Sequence, residues 1–472
     1  MRQDTETVIL GGGLAGLSCA YRLAEKGKKP VIIEKEKTAG GLCRSFRKDG
    51  FTFDLGGHRF LPREDHLREF VERLFRQGEL SLGSRRSHIY LKGKFLNYPP
   101  DFSSILKELG LKTSFQCFAE GMVLPVRQKY LRPSEVSLQD WVNHRFGKTL
   151  YAIYFGPYSE KLWGMKPSLI SRDWAPQRIP VVNIRRALLA LLRRQKEARY
   201  ARHFLYPRGG IGQIPSRMEK AIGQRGGRIF ADCRVEKIIE GRDGFWVVAR
   251  SGEGKKCDVY SKNLVSTIPL PDLLACYRPS PPAEVLASAG SLRYRSIRFL
   301  NIMIDRPRMT DNTWLYIPEK DFLFFRIQEF PNWDASNSPD NKTSLTLEIA
   351  CDKGDGLWGM KDKELLDVCV KDLKKMGLNV QNRVLGYFST YAQHSYPVYS
   401  LDYRLHREKI FHFLGGKRNL ALCGRQGFFT YINMDQVMAS GFEVAESLIK
   451  GEKPSGISED GRCLENQVRL TK

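Results

Sequence analysis

Three glycines spaced as Gly11-x-Gly13-x-x-Gly16 follow an apolar run, Thr7 to Leu10, and precede small and apolar residues that reach about Lys26. The spacing suits phosphate chemistry. Gly11 makes a tight turn, Gly13 lets the backbone approach a pyrophosphate, and Gly16 lets a helix pack on a strand. Leu14 and Ala15 stand between the glycines as further cofactor-binding candidates, and the helix N-terminus faces the phosphates with free N–H groups and its positive dipole end. Glu34 closes a second apolar run, Lys29 to Ile33, roughly 20 residues on, where a carboxylate can hold the ribose hydroxyls of an adenosine; Lys35 follows it. These residues imply a dinucleotide ligand. The acid argues against NADP, which prefers a basic residue there, and leaves NAD and FAD open.

The elements that must position these groups form a βαβ unit, and more glycines follow it. Gly40-Gly41-Leu42-Cys43-Arg44-Ser45 comes first, then an alternating strand, Phe51 to Leu55, which runs into Gly56-Gly57-His58. Between residues 60 and 205 helical patterns dominate: Glu64 to Arg76, Phe102 to Leu109, Lys112 to Glu120, Ser137 to Phe146, and a basic amphipathic helix from Asn183 to Phe204. A turn at Tyr206 to Gly212 and a helix from Pro215 to Gly223 lead back to strands at Arg228 to Phe230, Val235 to Ile239, Phe245 to Arg250 and Asn263 to Ile268. Strand patterns continue at Arg298 to Ile304, Thr313 to Ile317, Phe322 to Ile327 and Ser344 to Ile349. The chain ends on a strand, Leu420 to Cys423, a loop, Gly424 to Gly427, a helix from about Asp435, and a polar, mobile tail.

At 472 residues, two or more domains are expected. Hydrophobic residues at 42% exclude a disordered chain. Lys and Arg number 76 against 52 acids, a net charge of +24 that favours anionic partners. No aromatic-interleaved basic tract is present, so nucleic acid is not expected, and a basic nucleic-acid- or membrane-binding protein that merely keeps a flavin fold is the remote alternative to an enzyme. The helix from Asn183 to Phe204 could lie on an anionic membrane. No run of about 18 apolar residues spans one, and the expected location is cytoplasmic, with peripheral contact at the inner membrane face. Ten cysteines without a C-x-x-C pair read as reduced core thiols rather than a disulfide frame or zinc site, so no metal is expected.

The fingerprint, Glu34, Gly41 to Ser45 and the Gly-Gly-His turn together resemble the FAD domain of the flavin amine oxidase and protoporphyrinogen oxidase superfamily. The resemblance implies FAD, with Arg44 near the pyrophosphate, Gly41 and Leu42 beside it, Gly56, Gly57 and His58 at the isoalloxazine, and Val235 near the adenine. Gly424, Arg425, Asn433 and Met434 would form the last contact segment. The fold implied is α/β: a Rossmann-like FAD-binding domain from residues 1–95, 205–270 and 410–450, a helical insertion (96–204) and a β-rich substrate domain (271–409).

A sharper resemblance lies in the middle of the chain. Phe155-Gly156-Pro157-Tyr158 through Trp163-Gly164, Trp174 to Pro180, Phe325-Arg326-Ile327, Tyr396-Pro397-Val398 and Tyr431-x-Asn433-Met434-Asp435 look like segments of UDP-galactopyranose mutases, in the same order. Carried over, Tyr158 and Trp163 would flank a nucleobase, Arg178 would reach the sugar diphosphate from a mobile loop, and Arg326, Tyr396 and Tyr431 would grip its phosphates. His58, Arg178 and Arg326 are the candidate catalytic residues. Two positions depart from the mutases, which usually carry Gly-Pro-His at 56–58 and an aspartate at Asn433. The function expected is therefore an FAD-dependent oxidoreductase that moves hydride from a phosphorylated, nucleotide- or lipid-linked sugar to flavin N5. The alternative is a mutase that interconverts pyranose and furanose nucleotide sugars through a flavin N5 adduct. Nothing in the sequence indicates the oligomeric state.

Overall fold

A computed structural model describes residues 3–98, 110–131, 134–179 and 203–452. The expected helix from Phe102 to Leu109, nearly all of that from Asn183 to Phe204, and the tail beyond Glu452 lie outside the described residues. His203 and Phe204 are described, and they begin a strand, His203–Pro207, rather than end a helix.

The first strand, Gln3–Leu10, has Val8, Ile9 and Leu10 fully buried. Burial on both faces is the mark of a central parallel strand. It pairs in parallel with Val31–Ile33 on one side and Val259–Ser266 on the other. The complete sheet has eight strands, drawn from distant parts of the chain. In order they are Tyr277–Arg278, Cys233–Glu240, Phe245–Ser251, Val259–Ser266, Gln3–Leu10, Val31–Ile33 and Arg228–Phe230, with Leu420–Leu422 pairing beside Leu264 to Ser266. Helix Leu14–Glu25 and the last helix, Met434–Lys450, pack together on this sheet. Glycine makes their approach close: a Cβ on Gly441 would stand 3.0 Å from the Cys19 backbone nitrogen and overlap the Ala15 carbonyl.

The second sheet has seven strands, ordered Val384–Pro397, Tyr294–Ile304, Thr343–Cys351, Arg326–Gln328, Trp314–Tyr316, Ser87–Leu91 and Lys94–Asn97. Its two faces differ in chemistry because side chains alternate along a strand. Leu300, Leu347, Ile327 and Leu315 stand in register on one face and are buried with Leu365, Cys369 and Leu373 of helix Asp362–Lys375. Phe299, Glu348, Arg326 and Tyr316 stand in register on the other. That face also carries Asn301 and Thr346, joined by a 2.7 Å hydrogen bond, and it is the one that meets the turn at Gly56.

Several elements differ from the sequence reading. Leu80–Ser84, Ser87–Leu91 and Lys94–Asn97 are strands in a region read as helical, because runs of four or five residues leave too few alternations to register. The strand Val384–Pro397, 14 residues long, was not foreseen: its burial pattern breaks alternation, as expected of an edge with bulged pairing. The thiol reading is also corrected. Cys233 and Cys257, 24 residues apart, form a disulfide, because the hairpin Cys233–Ser251 folds the following segment back along Ala249. Cys19, Cys43, Cys351, Cys369 and Cys423 are free and buried, as expected. Among the described residues no cluster of metal-ligating side chains occurs, and no helix is long and apolar enough to cross a membrane.

Gly441→Val should force the two helices apart and lower stability by about 2 kcal/mol. Urea unfolding followed by circular dichroism would measure the loss; an unchanged midpoint would contradict this account of the contact.

Candidate active site

The glycine loop, the second glycine set and the last helix converge on a cavity of about 830 Å³, within the size range of cofactor sites. Its lining includes Gly11, Gly13, Leu14, Ala15, Glu34, Lys35, Gly41, Leu42, Arg44, His58, Val235, Gly424, Arg425 and Met434. Sequence reasoning had nominated all of these. The backbone crosses closely here: Gly13 and Gly40 form a bridge, and a Cβ on Gly41 would stand 3.0 Å from the Gly13 Cα. Gly13 is also the N-cap of the first helix, and no side chain caps it, which leaves the first-turn N–H groups for an anion. Gly16 does not line the cavity. Its missing side chain instead lets the helix lie against the Gly11 carbonyl and Ile9, as its spacing implied.

Glu34 is buried and accepts hydrogen bonds from the Gly12 N–H at 2.6 Å and the Glu36 N–H at 2.8 Å. Burial raises its pKa, and those two N–H groups and Arg44 pull against the rise. Arg44 donates to the Gly41 carbonyl at 3.0 Å and pairs with Glu36 at 2.9 Å, which fixes its guanidinium on the second glycine set. Arg425 is anchored by the Ile432 carbonyl at 2.7 Å and lies 4.8 Å over the Tyr431 ring. Asn433 lies outside the cavity lining and is the N-cap of the last helix, its N–H bonded to Gln436 at 3.1 Å. The cavity also holds residues the sequence reading missed, among them Asp272, Lys353 and His394. His394 sits on the unforeseen strand, and burial lowers its pKa to about 4.

These residues fit FAD. Two glycine crossings admit a pyrophosphate, an uncapped helix start faces it, and the cationic Lys35, Arg44 and Arg425 share the lining.

His58, from the Gly56-Gly57-His58 turn, lines the cavity. His58 Nδ1 lies 3.2 Å from the Gly56 carbonyl, which can only accept, so Nδ1 carries a proton. Gly56 and Gly57 are absent from the lining because they back onto the second sheet. A Cβ on Gly57 would overlap the Trp314 ring, its indole nitrogen first, and one on Gly56 would stand 3.1 Å from Phe299. The Gly57 N–H donates to the buried Glu348. Glu348 also receives Arg326 through two nitrogens, Nη2 at 2.6 Å and Nε at 3.0 Å, and the Gln328 amide. Burial works against the Arg326 charge, but Glu348 outweighs it and holds the guanidinium firmly protonated. Tyr396, Tyr158 and Tyr316 face the same guanidinium.

Among the substrate candidates, Tyr396 stacks on Tyr431 at 5.3 Å, and Tyr158 packs edge-on against Tyr316 and Phe325. Trp163 is different. It is 1% exposed, enclosed by Trp174 and Tyr396, so it is core rather than a surface that could flank a nucleobase. Arg178 ends a short helix, Ala175–Arg178, and its side chain lies outside the described part of the structure.

A sheet assembled from separated segments of the chain, with a glycine loop at a cofactor-sized cavity, defines an FAD-dependent enzyme. The chain belongs to the flavin-containing amine oxidoreductase family, whose model matches residues 14–449. It is 28% identical over 180 residues to a UDP-galactopyranose mutase of Mycoplasma pneumoniae, a match covering 35% of this chain and 43% of that protein. It is 22% identical over 283 residues to the inactive all-trans-retinol 13,14-reductase of Danio rerio, covering 53% of this chain and 45% of that protein. The chain thus spans less than half the length of these two relatives. Among solved structures, a reduced UDP-galactopyranose mutase shares the fold with a TM-score of 0.82 at 23% identity over 95% of both chains. A putative protoporphyrinogen oxidase from Exiguobacterium sp. 255-15 follows at 0.74 and 18% identity, over 95% of this chain and 99% of that one.

Two outcomes are expected. Gly57→Pro removes the N–H held by Glu348 and drives a ring into Trp314, so the purified variant should lose FAD on gel filtration; full retention would refute the role assigned to this turn. His394 stays neutral in the folded protein down to pH near 4 but titrates near 6.5 when unfolded, so its contribution is lost as pH falls through that window. The loss amounts to at most about 3 kcal/mol. Thermal midpoints of wild type and His394→Gln across the window should converge as pH falls.

Proposed function

We propose that this enzyme is an FAD-dependent oxidoreductase that takes hydride from a carbon of a phosphorylated, nucleotide- or lipid-linked sugar. The observation that carries the reading is one cationic, aromatic wall: Arg326 facing Tyr158 and Tyr396, Tyr396 stacked on Tyr431, and Tyr431 under Arg425, which also lines the flavin cavity. Guanidinium forks bind phosphate oxygens bidentately, and tyrosine hydroxyls add donors with little freedom to lose. Arg326 spends one edge on Glu348, while its Nη1 has no hydrogen-bond partner among the described residues. The rings of Tyr158 and Tyr396 exclude water, and His58 stands at the turn as the candidate proton-transfer group. FAD, when bound, supplies hydride-accepting chemistry. The net charge of +24 supports an anionic substrate and peripheral contact with the anionic inner face of a membrane.

A second reading is a mutase that interconverts pyranose and furanose nucleotide sugars without net redox. The fold likeness to the reduced UDP-galactopyranose mutase favours it. Gly57 favours the oxidoreductase, since its N–H bond to Glu348 is one that a proline at this position cannot make.

Anaerobic mixing of the FAD-loaded enzyme with phosphorylated and nucleotide-linked sugars should bleach the visible flavin band with at least one of them. Arg326→Ala should weaken that substrate about tenfold or more while FAD stays bound. Furanose product from UDP-galactose after dithionite reduction, with no bleaching of the oxidised enzyme, would replace the first reading by the second.

A further inference from the structure

Arg59 follows the flavin-side turn directly, and neither the glycine motifs nor the phosphate-grip positions include it. Its guanidinium is stacked on Trp314, with Cζ 3.6 Å from the ring centroid, and the Phe204 and Trp333 rings stand 5.2 and 5.3 Å away. Only Nη2 is seen to be engaged, by the Thr313 hydroxyl at 2.5 Å and the Ser87 hydroxyl at 3.1 Å. No carboxylate pairs with it among the described residues. The charged side chains it feels, Arg85 and Arg326, are both positive, and burial lowers its pKa to about 9. Two donors in this stacked pair are buried without a partner among the described residues: Nε of Arg59 and the indole N–H of Trp314. A buried donor left unpaired costs about 1–3 kcal/mol, and more when charged, so two in one stack call for an acceptor. Arg326 also lies over the Trp314 ring, 4.9 Å from its centroid, and the acid that Arg326 pairs with, Glu348, is already committed to Arg326, Gln328 and Gly57.

We propose that Arg59 and Trp314 form an oxyanion subsite that receives phosphoryl oxygens of the substrate, next to the oxygens held by Arg326. The assignment rests on the anionic-substrate reading above and extends it: the substrate carries its charge across two guanidinium groups that both lie against one indole. Trp314 is then a specificity residue twice over, since its ring fills the space that a side chain at residue 57 would occupy.

Inorganic pyrophosphate, titrated into the FAD-loaded protein and followed by tryptophan fluorescence, tests the assignment. Arg59→Lys keeps the charge but loses the fork and the stack, and should weaken pyrophosphate about tenfold. Trp314→Phe keeps a ring but removes the indole donor, and should weaken it about threefold, followed by calorimetry because the reporter ring is gone. Both variants should keep wild-type FAD content. A folded Arg59→Lys that binds as tightly as wild type would overturn the subsite and assign the two donors to ordered water. If Arg59→Lys does not fold, Trp314→Phe decides in the same way. Failure of the wild type itself to bind pyrophosphate would sink the anionic-substrate reading first, and this subsite with it.

Discussion

The buried carboxylate of Glu348 is a point at which the flavin-side turn and the seven-stranded sheet are tied together. It stands on the polar face of the seven-stranded sheet and accepts from Arg326, from Gln328 and from the backbone of Gly57 in the flavin half. Removing one partner from such a buried pair typically costs about 3–5 kcal/mol, because the other charge is left stranded. The interaction therefore does more than stabilise. It orients Arg326 and pins the turn that carries His58, so one side chain couples the flavin-side turn to the arginine of the proposed substrate wall. The polar network of Asn301 and Thr346 next to it keeps that sheet face selective for one seating, whereas the apolar face behind it relies on simple burial.

The flavin half was largely legible in the sequence because its signals are local. Gly11, Gly13, Gly16 and Glu34 act within one βαβ unit, and short-range spacing specifies their roles, the packing role of Gly16 included. The substrate half was legible in residue type and not in partner. Arg326 stood out as a phosphate-type residue, yet Glu348 lies 22 positions away on a neighbouring strand, and only the sheet register brings them together. Trp163 shows the converse difficulty. An aromatic in a helix presents the same sequence pattern whether it faces a ligand or the core, and here Trp174 and Tyr396 enclose it. The Cys233–Cys257 disulfide escaped for the same reason as Glu348: its two ends are set by a hairpin rather than by spacing.

Family membership and site chemistry constrain different things. Membership in the flavin-containing amine oxidoreductase family accounts for the cofactor and for the three-segment sheet. The residue at position 57 belongs to this chain's own solution, since glycine there admits Trp314 and supplies an N–H.

The eight-stranded sheet draws its strands from residues 3 to 422, and its last helix, Met434–Lys450, packs on the first, Leu14–Glu25. During synthesis, the central strand Gln3–Leu10 and the apolar side of the first helix would leave the ribosome about 400 residues before the helix that covers them. Until then the nascent chain presents an unfinished parallel sheet, the kind of exposed edge that invites wrong pairing. Early cofactor capture by the glycine loop, or a chaperone that holds the unfinished edge, would shorten that exposure, which makes the discontinuous flavin domain a constraint on biogenesis as much as on catalysis.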